Sequence, residues 1–195
     1  MVLLHEFRKD EFNTRNINED VLLARIQTSL TEGDIKRYFP DIETLKYSDL
    51  KNYSNIDELL PNDKDFKIIL IEQEHHVGHW VCVMRYGNTI EYFNPYGTKV
   101  DNDKKFIGKL RNALLGQEED VLSEMMEKSP YKCIYSKKRF QKLRPEIQTC
   151  GRWCLLRIMC MKDLDMDIKE FKKFINSGVE SSGLPKDALV SLYIG

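Results

Sequence analysis

Several things are scarce in this sequence, and each scarcity removes a class of function. No apolar run approaches the roughly 18 residues that a membrane-spanning helix needs. The opening stretch Met1-Val2-Leu3-Leu4-His5-Glu6-Phe7-Arg8 meets charge too soon for a signal peptide, so a soluble intracellular chain is expected. Neither sign of charge dominates. Thirty basic and 31 acidic residues leave a net charge of −1, which gives no global cue to nucleic acid or a membrane surface. The five cysteines are odd in number and lack the spacing of a disulfide framework, so a reducing compartment with free thiols is expected. Repeats and low-complexity tracts are absent. What remains is an ordinary globular balance, 42% hydrophobic and 31% charged over 195 residues, enough to bury a full core.

Residues 1–30 mix charge with Val21, Leu22, Leu23 and Ile26 and read as a helical N-terminal extension or lid. The remaining residues, 31–195, are expected to form a single domain. Thr31-Glu32-Gly33-Asp34 reads as a helix start, with Thr31 as the cap, Ile35, Tyr38 and Phe39 on the buried face and Pro40 as the stop. The β-branched run 66–71 predicts a buried strand, 79–86 a second and 89–93 a third, the last two joined at Gly87-Asn88 as a hairpin. Residues 103–127 return to helical spacing through Phe106, Leu110 and Leu114, with Gly116 as a divider. Residues 131–140 read as a fourth strand. From Cys150 an almost continuously apolar helix runs to about 162, and a last helix covers about 167–175. The order predicts an α+β domain with a mainly antiparallel central sheet flanked by helices.

The candidate chemistry centres on Thr149-Cys150-Gly151 and Gly78-His79-Trp80. A thiol is a useful nucleophile only as thiolate, and a position opening a helix favours S⁻ through the helix dipole. Gly151 lets the backbone approach a substrate closely. Cys82, Cys133, Cys154 and Cys160 read as small structural hydrophobes. A base must come from one of four histidines. His5 lies in the extension and His75 and His76 in a charged loop, which leaves His79 at the start of a strand. A zinc reading of His75, His76, His79 and Cys82 fits poorly, because that spacing suits a helix and the context is strand and loop. Asn94, across the hairpin from His79, is placed to accept the ring's Nδ1–H and orient it. Asn94-Pro95 is equally readable as a plain turn. An oxyanion hole needs a side-chain amide beside the Cys150 N–H. Gln141, at the end of the fourth strand, is favoured over Gln148, in the loop before the nucleophile.

Taken together, Gly78-His79-Trp80, Tyr92-Phe93-Asn94-Pro95-Tyr96-Gly97, Gln141 and Thr149-Cys150-Gly151 resemble the adenain-like cysteine proteases. That superfamily includes the adenovirus maturation protease, proteases of large DNA viruses, virophages and Polinton-type elements, and SUMO-deconjugating enzymes. The order His, acid or amide, Gln, Cys is similar, and Phe93-Asn94-Pro95-Tyr96-Gly97 is similar to the adenovirus Phe-acid-Pro-Phe-Gly. The resemblance covers about residues 65–162, and the segments 30–35 and 47–50 also look like the viral and mobile-element branch. It implies a papain-like fold of the adenain type with the nucleophile at the N-terminus of a buried helix, Cys150 as nucleophile, His79 as base, Asn94 as orienter and Gln141 as oxyanion donor. Trp80 would pack beside the pair and, with Gly151, line the substrate path. It further implies cleavage of capsid or scaffold precursors after small, glycine-rich residues, with a ubiquitin or SUMO-like deconjugase and a non-catalytic binding protein as alternatives. The setting would be the host cytoplasm or viral factory, with packaging in the virion, and the enzyme a monomer without metal or cofactor. Some relatives use DNA or a peptide activator, but the basic run Lys137-Lys138-Arg139, with Lys142 and Arg144, reads as a solvated strand end. Two departures stand out. The orienter is Asn where several members carry Asp or Glu, and Gln141 lies farther ahead of the cysteine than is usual.

Overall fold

The computed structural model describes residues 18–195, so residues 1–17 of the expected 1–30 extension or lid lie outside the described residues. The chain divides into two compact units, one of residues 41–139 and one that joins residues up to 40 with residues 140–195.

The first of these is built on a five-stranded sheet in the order β1 (Thr44–Lys46), β2 (Phe66–Glu74), β3 (Val77–Tyr86), β4 (Thr89–Phe93) and β5 (Lys132–Tyr135). The centre, β2-β3-β4, is antiparallel, and both edge strands join parallel. The expected strand over 131–140 therefore stops early, at Tyr135. Beyond it Lys137, Lys138 and Arg139 offer no alternating apolar face to bury. Side chains alternate across the sheet. One face carries Ile69, Ile71, Val81, Val83, Ile90 and Tyr92, packed on Tyr47 and Leu50 of a 3₁₀ turn, on α3 (Ile56–Leu59) and on α6 (Val121–Glu127). The other carries Ile68, Leu70, Trp80, Cys82, Met84 and Phe93, also buried. Burial on both faces explains why these strands read as continuous apolar runs.

The stretch 103–127 departs from expectation. It splits into α4 (Lys104–Ile107), α5 (Lys109–Leu114) and α6, with Gly108 at φ 92° between the first two. Phe106, Leu110 and Leu114, which carry the helical spacing, are 84%, 77% and 80% exposed. What α4 and α5 bury is polar: Lys104, paired with Asp120 at 2.9 Å, and Asn112, which donates to the Lys104 carbonyl at 2.7 Å.

In the second unit lie α1 (Glu19–Gln27), α2 (Glu32–Tyr38), α7 (Cys150–Leu164), α8 (Ile168–Ser182) and α9 (Lys186–Tyr193). Helix α2 starts as its sequence predicts: Thr31 Oγ1 accepts from the Asp34 N–H at 3.2 Å, and the Asp34 carboxylate accepts from the Thr31 N–H at 3.0 Å. The Thr31 hydroxyl, which donates to the Asp34 carboxylate at 2.7 Å, and then the Thr31 N–H hold the Asp34 carboxyl below its ordinary value. Helix α8 runs a further two turns past the expected 175. A second capping box starts it, with Asp167 Oδ1 accepting from the Lys169 and Glu170 amides at 2.7 and 2.8 Å. Gly183 closes it at φ 69°. Helix α7 is buried along most of its length, and α9 packs against α1, α7 and α8.

Candidate active site

Each unit holds part of the candidate machinery. In the sheet unit, His79 shares a face of β3 with Val81 and Val83. Gly78 precedes it where the β2 backbone passes so close that a Cβ would stand 2.1 Å from the Ile71 carbonyl oxygen. Asn94 follows the last residue of β4 on the same face as Tyr92, and both His79 and Asn94 are buried. Their side chains meet, with His79 Nε2 and Asn94 Oδ1 2.9 Å apart. The expectation named Nδ1 as the nitrogen that Asn94 holds, and the geometry corrects this to Nε2. The turn reading of Asn94-Pro95 also holds, since the Gly97 N–H donates to the Asn94 carbonyl at 2.8 Å.

The Asn94 amide is fixed in one orientation. Its Oδ1 also accepts from the Tyr96 N–H at 2.9 Å, and its Nδ2 donates to Thr98 Oγ1 at 2.6 Å and to the Asp103 carboxylate. Acceptors on one side and a donor on the other exclude the flipped amide. An amide oxygen cannot donate, so the hydrogen between Asn94 and His79 sits on Nε2. Tyr96 lies flat on the imidazole, with centroids 4.2 Å apart and an interplanar angle of 13°. Trp80 was expected beside the pair, but strand alternation sends it to the opposite face of β3. The ring stacked on His79 is Tyr96.

In the helical unit, Cys150 is the first residue of α7 and is buried. Amides in the first turn of a helix point out of it and have no acceptor within it. With the helix dipole they favour a negative charge on this sulfur. Thr149, the residue before it, is held from α9: its Oγ1 donates to Asp187 Oδ1 at 2.7 Å. The same carboxylate accepts from Trp153 Nε1 at 3.3 Å and from the Lys142 N–H at 3.1 Å. Asp187 thus ties the turn before Cys150, the helix behind it and the loop after Gln141 to one point. Arg152, one residue beyond Gly151, donates to the carbonyls of Thr28 and Ile194 at 2.6 and 3.1 Å. Burial pushes its guanidinium below its ordinary value, and a thiolate at Cys150 acts in the opposite sense. The same attraction favours the thiolate.

Gln141 sits in a loop rather than at a strand end, because β5 stops short of it. It is nonetheless 1% exposed, and its Nε2 donates to the Ile147 carbonyl at 2.8 Å. Gln148 is less buried, and its amide is engaged at both ends: Nε2 donates to the Pro145 carbonyl at 2.7 Å, and Oε1 accepts from Ser29 Oγ at 3.0 Å.

No protein-family model matches the chain. Over 151 residues it is 36% identical to uncharacterized protein V9 of the Sputnik virophage, across 77% of this chain and 84% of the virophage protein. The chain belongs to the family of that virophage protein. Among solved structures it is similar to the SUMO protease Ulp1 with its catalytic cysteine oxidized to a sulfonic acid, at a TM-score of 0.35 and 15% identity over 91% of this chain and 77% of that one. It is also similar to the C-terminal Ulp1 protease domain in complex with the yeast ortholog of SUMO, at a TM-score of 0.32 and 15% identity over 91% and 76% of the two chains.

Four residues escaped sequence reasoning. Tyr96 was visible in the Asn94–Gly97 motif, but nothing there signalled stacking. Arg152 lies in the first turn after Cys150 and carried a charge that the apolar reading of the helix passed over. Asp103 and Asp187 are two acids among 31 acidic residues, and only the fold brings them to their partners. Among the described residues no group of three or more His, Cys, Asp or Glu is arranged to hold a metal ion.

Proposed function

We propose that this chain is a thiol-dependent peptide hydrolase of the adenain type, with Cys150 as nucleophile, His79 as its proton partner, Asn94 as orienter and Gln141 as oxyanion donor. The observation that carries the reading is the buried 2.9 Å contact of His79 Nε2 with Asn94 Oδ1. With Nε2 committed as donor, Nδ1 is the ring atom that takes and returns a proton.

The chemistry then runs as follows. The Cys150 thiolate attacks the carbonyl carbon of the scissile peptide, and the carbonyl π pair moves to oxygen. The Cys150 N–H and the Gln141 amide donate to that oxyanion. As the C–N bond breaks, His79 passes its Nδ1 proton to the departing amine, leaving a thioester and a neutral imidazole. Nδ1 then takes a proton from water while the water oxygen attacks the thioester. Collapse releases the carboxylic product and restores the thiolate–imidazolium pair. Gln141 is preferred to Gln148 for the donor role because it is the more deeply buried of the two.

As substrates we propose capsid or scaffold precursors cut after small, glycine-rich residues, with Gly151 lining the path. The work would be done in the host cytoplasm or viral factory, with the enzyme packaged in the virion. The virophage relative supports a viral setting. The test is incubation, under reducing conditions, with capsid precursors bearing glycine pairs and in parallel with fluorogenic ubiquitin-like conjugates. Cleavage of the precursors that Cys150→Ala loses is the expected result. Cleavage of the conjugates alone redirects the assignment to a deconjugase. Turnover of neither leaves a binding protein on this fold and contradicts the proposal.

A further inference from the structure

The Asn94 amide that holds His79 is itself held by a carboxylate, and that changes what the site can do. Asn94 Nδ2 donates to Asp103 Oδ2, and that oxygen stands 3.9 Å from His79 Nε2. The other Asp103 oxygen accepts from Thr98 Oγ1 at 2.7 Å. Asp103 is 8% exposed, so its charge is poorly screened by water.

The turn that carries Asp103 is pinned from beneath. Asp101, at φ 63°, accepts from the Tyr47 hydroxyl at 2.6 Å and from the Ser123 N–H and hydroxyl at 3.0 and 2.6 Å. Gly97, at φ 75°, passes so close to the chain at Lys138 that a Cβ would stand 2.9 Å from that residue's carbonyl carbon. The turn leading to Asp103 is thus tied down at Asp101 and at Gly97.

We propose that Asp103 is the charged member of the catalytic constellation, a positioning residue that acts on His79 through Asn94. An asparagine alone fixes the ring but offers little to an imidazolium, which a carboxylate stabilises. Here the two duties are split between neighbouring side chains. Asn94 supplies the acceptor that sets the tautomer, and Asp103 supplies the negative charge and orders the amide. Other ionisable groups near the ring have separate commitments. Tyr96 stacks on it, and the Tyr92 hydroxyl accepts from Asn94 at 3.3 Å. Lys104, the next residue, turns away to Asp120. Glu72 lies on the other face of β2 and accepts from the His76 N–H at 2.7 Å, with Lys46 3.5 Å away.

The proposal rests on His79 being the partner of Cys150, and one NMR titration of the His79 ring separates the two. Assignment uses His79→Ala, since the sequence has only four histidines. A thiolate and a carboxylate both favour imidazolium, so removing either lowers the pH at which the ring loses its proton. Cys150→Ala is expected to lower the His79 titration; if the titration stays in place, the paired site fails and the role of Asp103 falls with it. Asp103→Asn keeps the shape, loses the charge and is expected to lower the titration by about one pH unit. If Cys150→Ala moves the titration and Asp103→Asn does not, the Asp103 proposal alone is overturned. The double variant Asn94→Asp with Asp103→Asn exchanges the two groups within the same volume. It should bring the titration back to the parent's value or above, because a carboxylate then contacts the ring directly. If Asp103→Asn fails to fold, the double variant carries the test: a titration well below the parent's overturns the proposal.

Discussion

Cys133 and Cys160 set the standard that the Cys150 thiol must exceed. Cys133 is exposed at the sheet edge, yet desolvation raises its thiol above the ordinary value. Burial pushes Cys160 up to about 12. Neither is a thiolate near neutral pH, so in neutral buffer an alkylating reagent should discriminate sharply. On alkaline titration Cys133 is expected to label later than an ordinary cysteine, because desolvation raises its thiol, while Cys150 is already modified near pH 6. Peptide mapping after timed iodoacetamide exposure reads both. His79 is the residue on which turnover should depend most after Cys150. Its loss to alanine should cost about 10²- to 10⁴-fold in kcat/KM, the usual range for a general acid–base group. Asn94→Ala should cost less, since the ring keeps its stacking on Tyr96. An Asn94→Ala variant as active as the parent would remove Asn94 from the site.

At the scale of elements, the positions of His79 and Cys150 depend on contacts that do no chemistry. Gly78 lets β3 pass against the β2 backbone directly before His79. Gly78→Ala has no room for its methyl group, so the hairpin must shift. The expected outcome is a clear drop in unfolding midpoint with loss of the His79–Asn94 geometry, and an unchanged midpoint would contradict the close approach. Asp187 does for Cys150 what Gly78 does for His79. Asp187→Ala leaves the Thr149 hydroxyl, the Trp153 indole and the Lys142 amide without their shared acceptor. A loss of about 3 kcal/mol in urea denaturation is expected, in line with hydrogen bonds to a charged group. Elements were legible in the sequence wherever one pattern dominated. The capping box at Thr31, the β2, β3 and β4 runs and the start of α7 at Cys150 all follow from local residue chemistry. Phe106, Leu110 and Leu114 lie in helices as their spacing predicts, but Gly108 adds a break that the sequence reading placed only at Gly116. Helix α9 escaped notice because its eight residues are too short for a pattern to accumulate.

For the whole molecule, buried acids that titrate late make an alkaline limit. Burial pushes Cys160 and Tyr193 each to about 12 and raises Tyr47 further still, with Asp101 adding to the effect. Each of these groups binds its proton more tightly folded than unfolded. Their stabilisation is therefore complete below the unfolded values and is lost as pH rises toward 12. Unfolding midpoints should fall steadily from about pH 9 upward, and a flat profile to pH 11 would contradict that burial. The candidate site was legible where neighbours in sequence share a motif, as in Gly78-His79-Trp80, Asn94–Gly97 and Thr149-Cys150-Gly151. It was not legible where the partner is distant in sequence and common in type. Asp103 reaches Asn94 only because the turn after β4 folds back, and Asp187 reaches Thr149 only because α9 packs on α7.

The pairing of Cys150 with His79 is tested most directly by the alkylation rate of each cysteine near pH 6, in the parent and in His79→Ala. Cys150 is expected to react at least about tenfold faster than Cys82, Cys133, Cys154 or Cys160, and His79→Ala should erase that lead. A Cys150 no faster than its neighbours, or one indifferent to the loss of His79, would contradict the assignment.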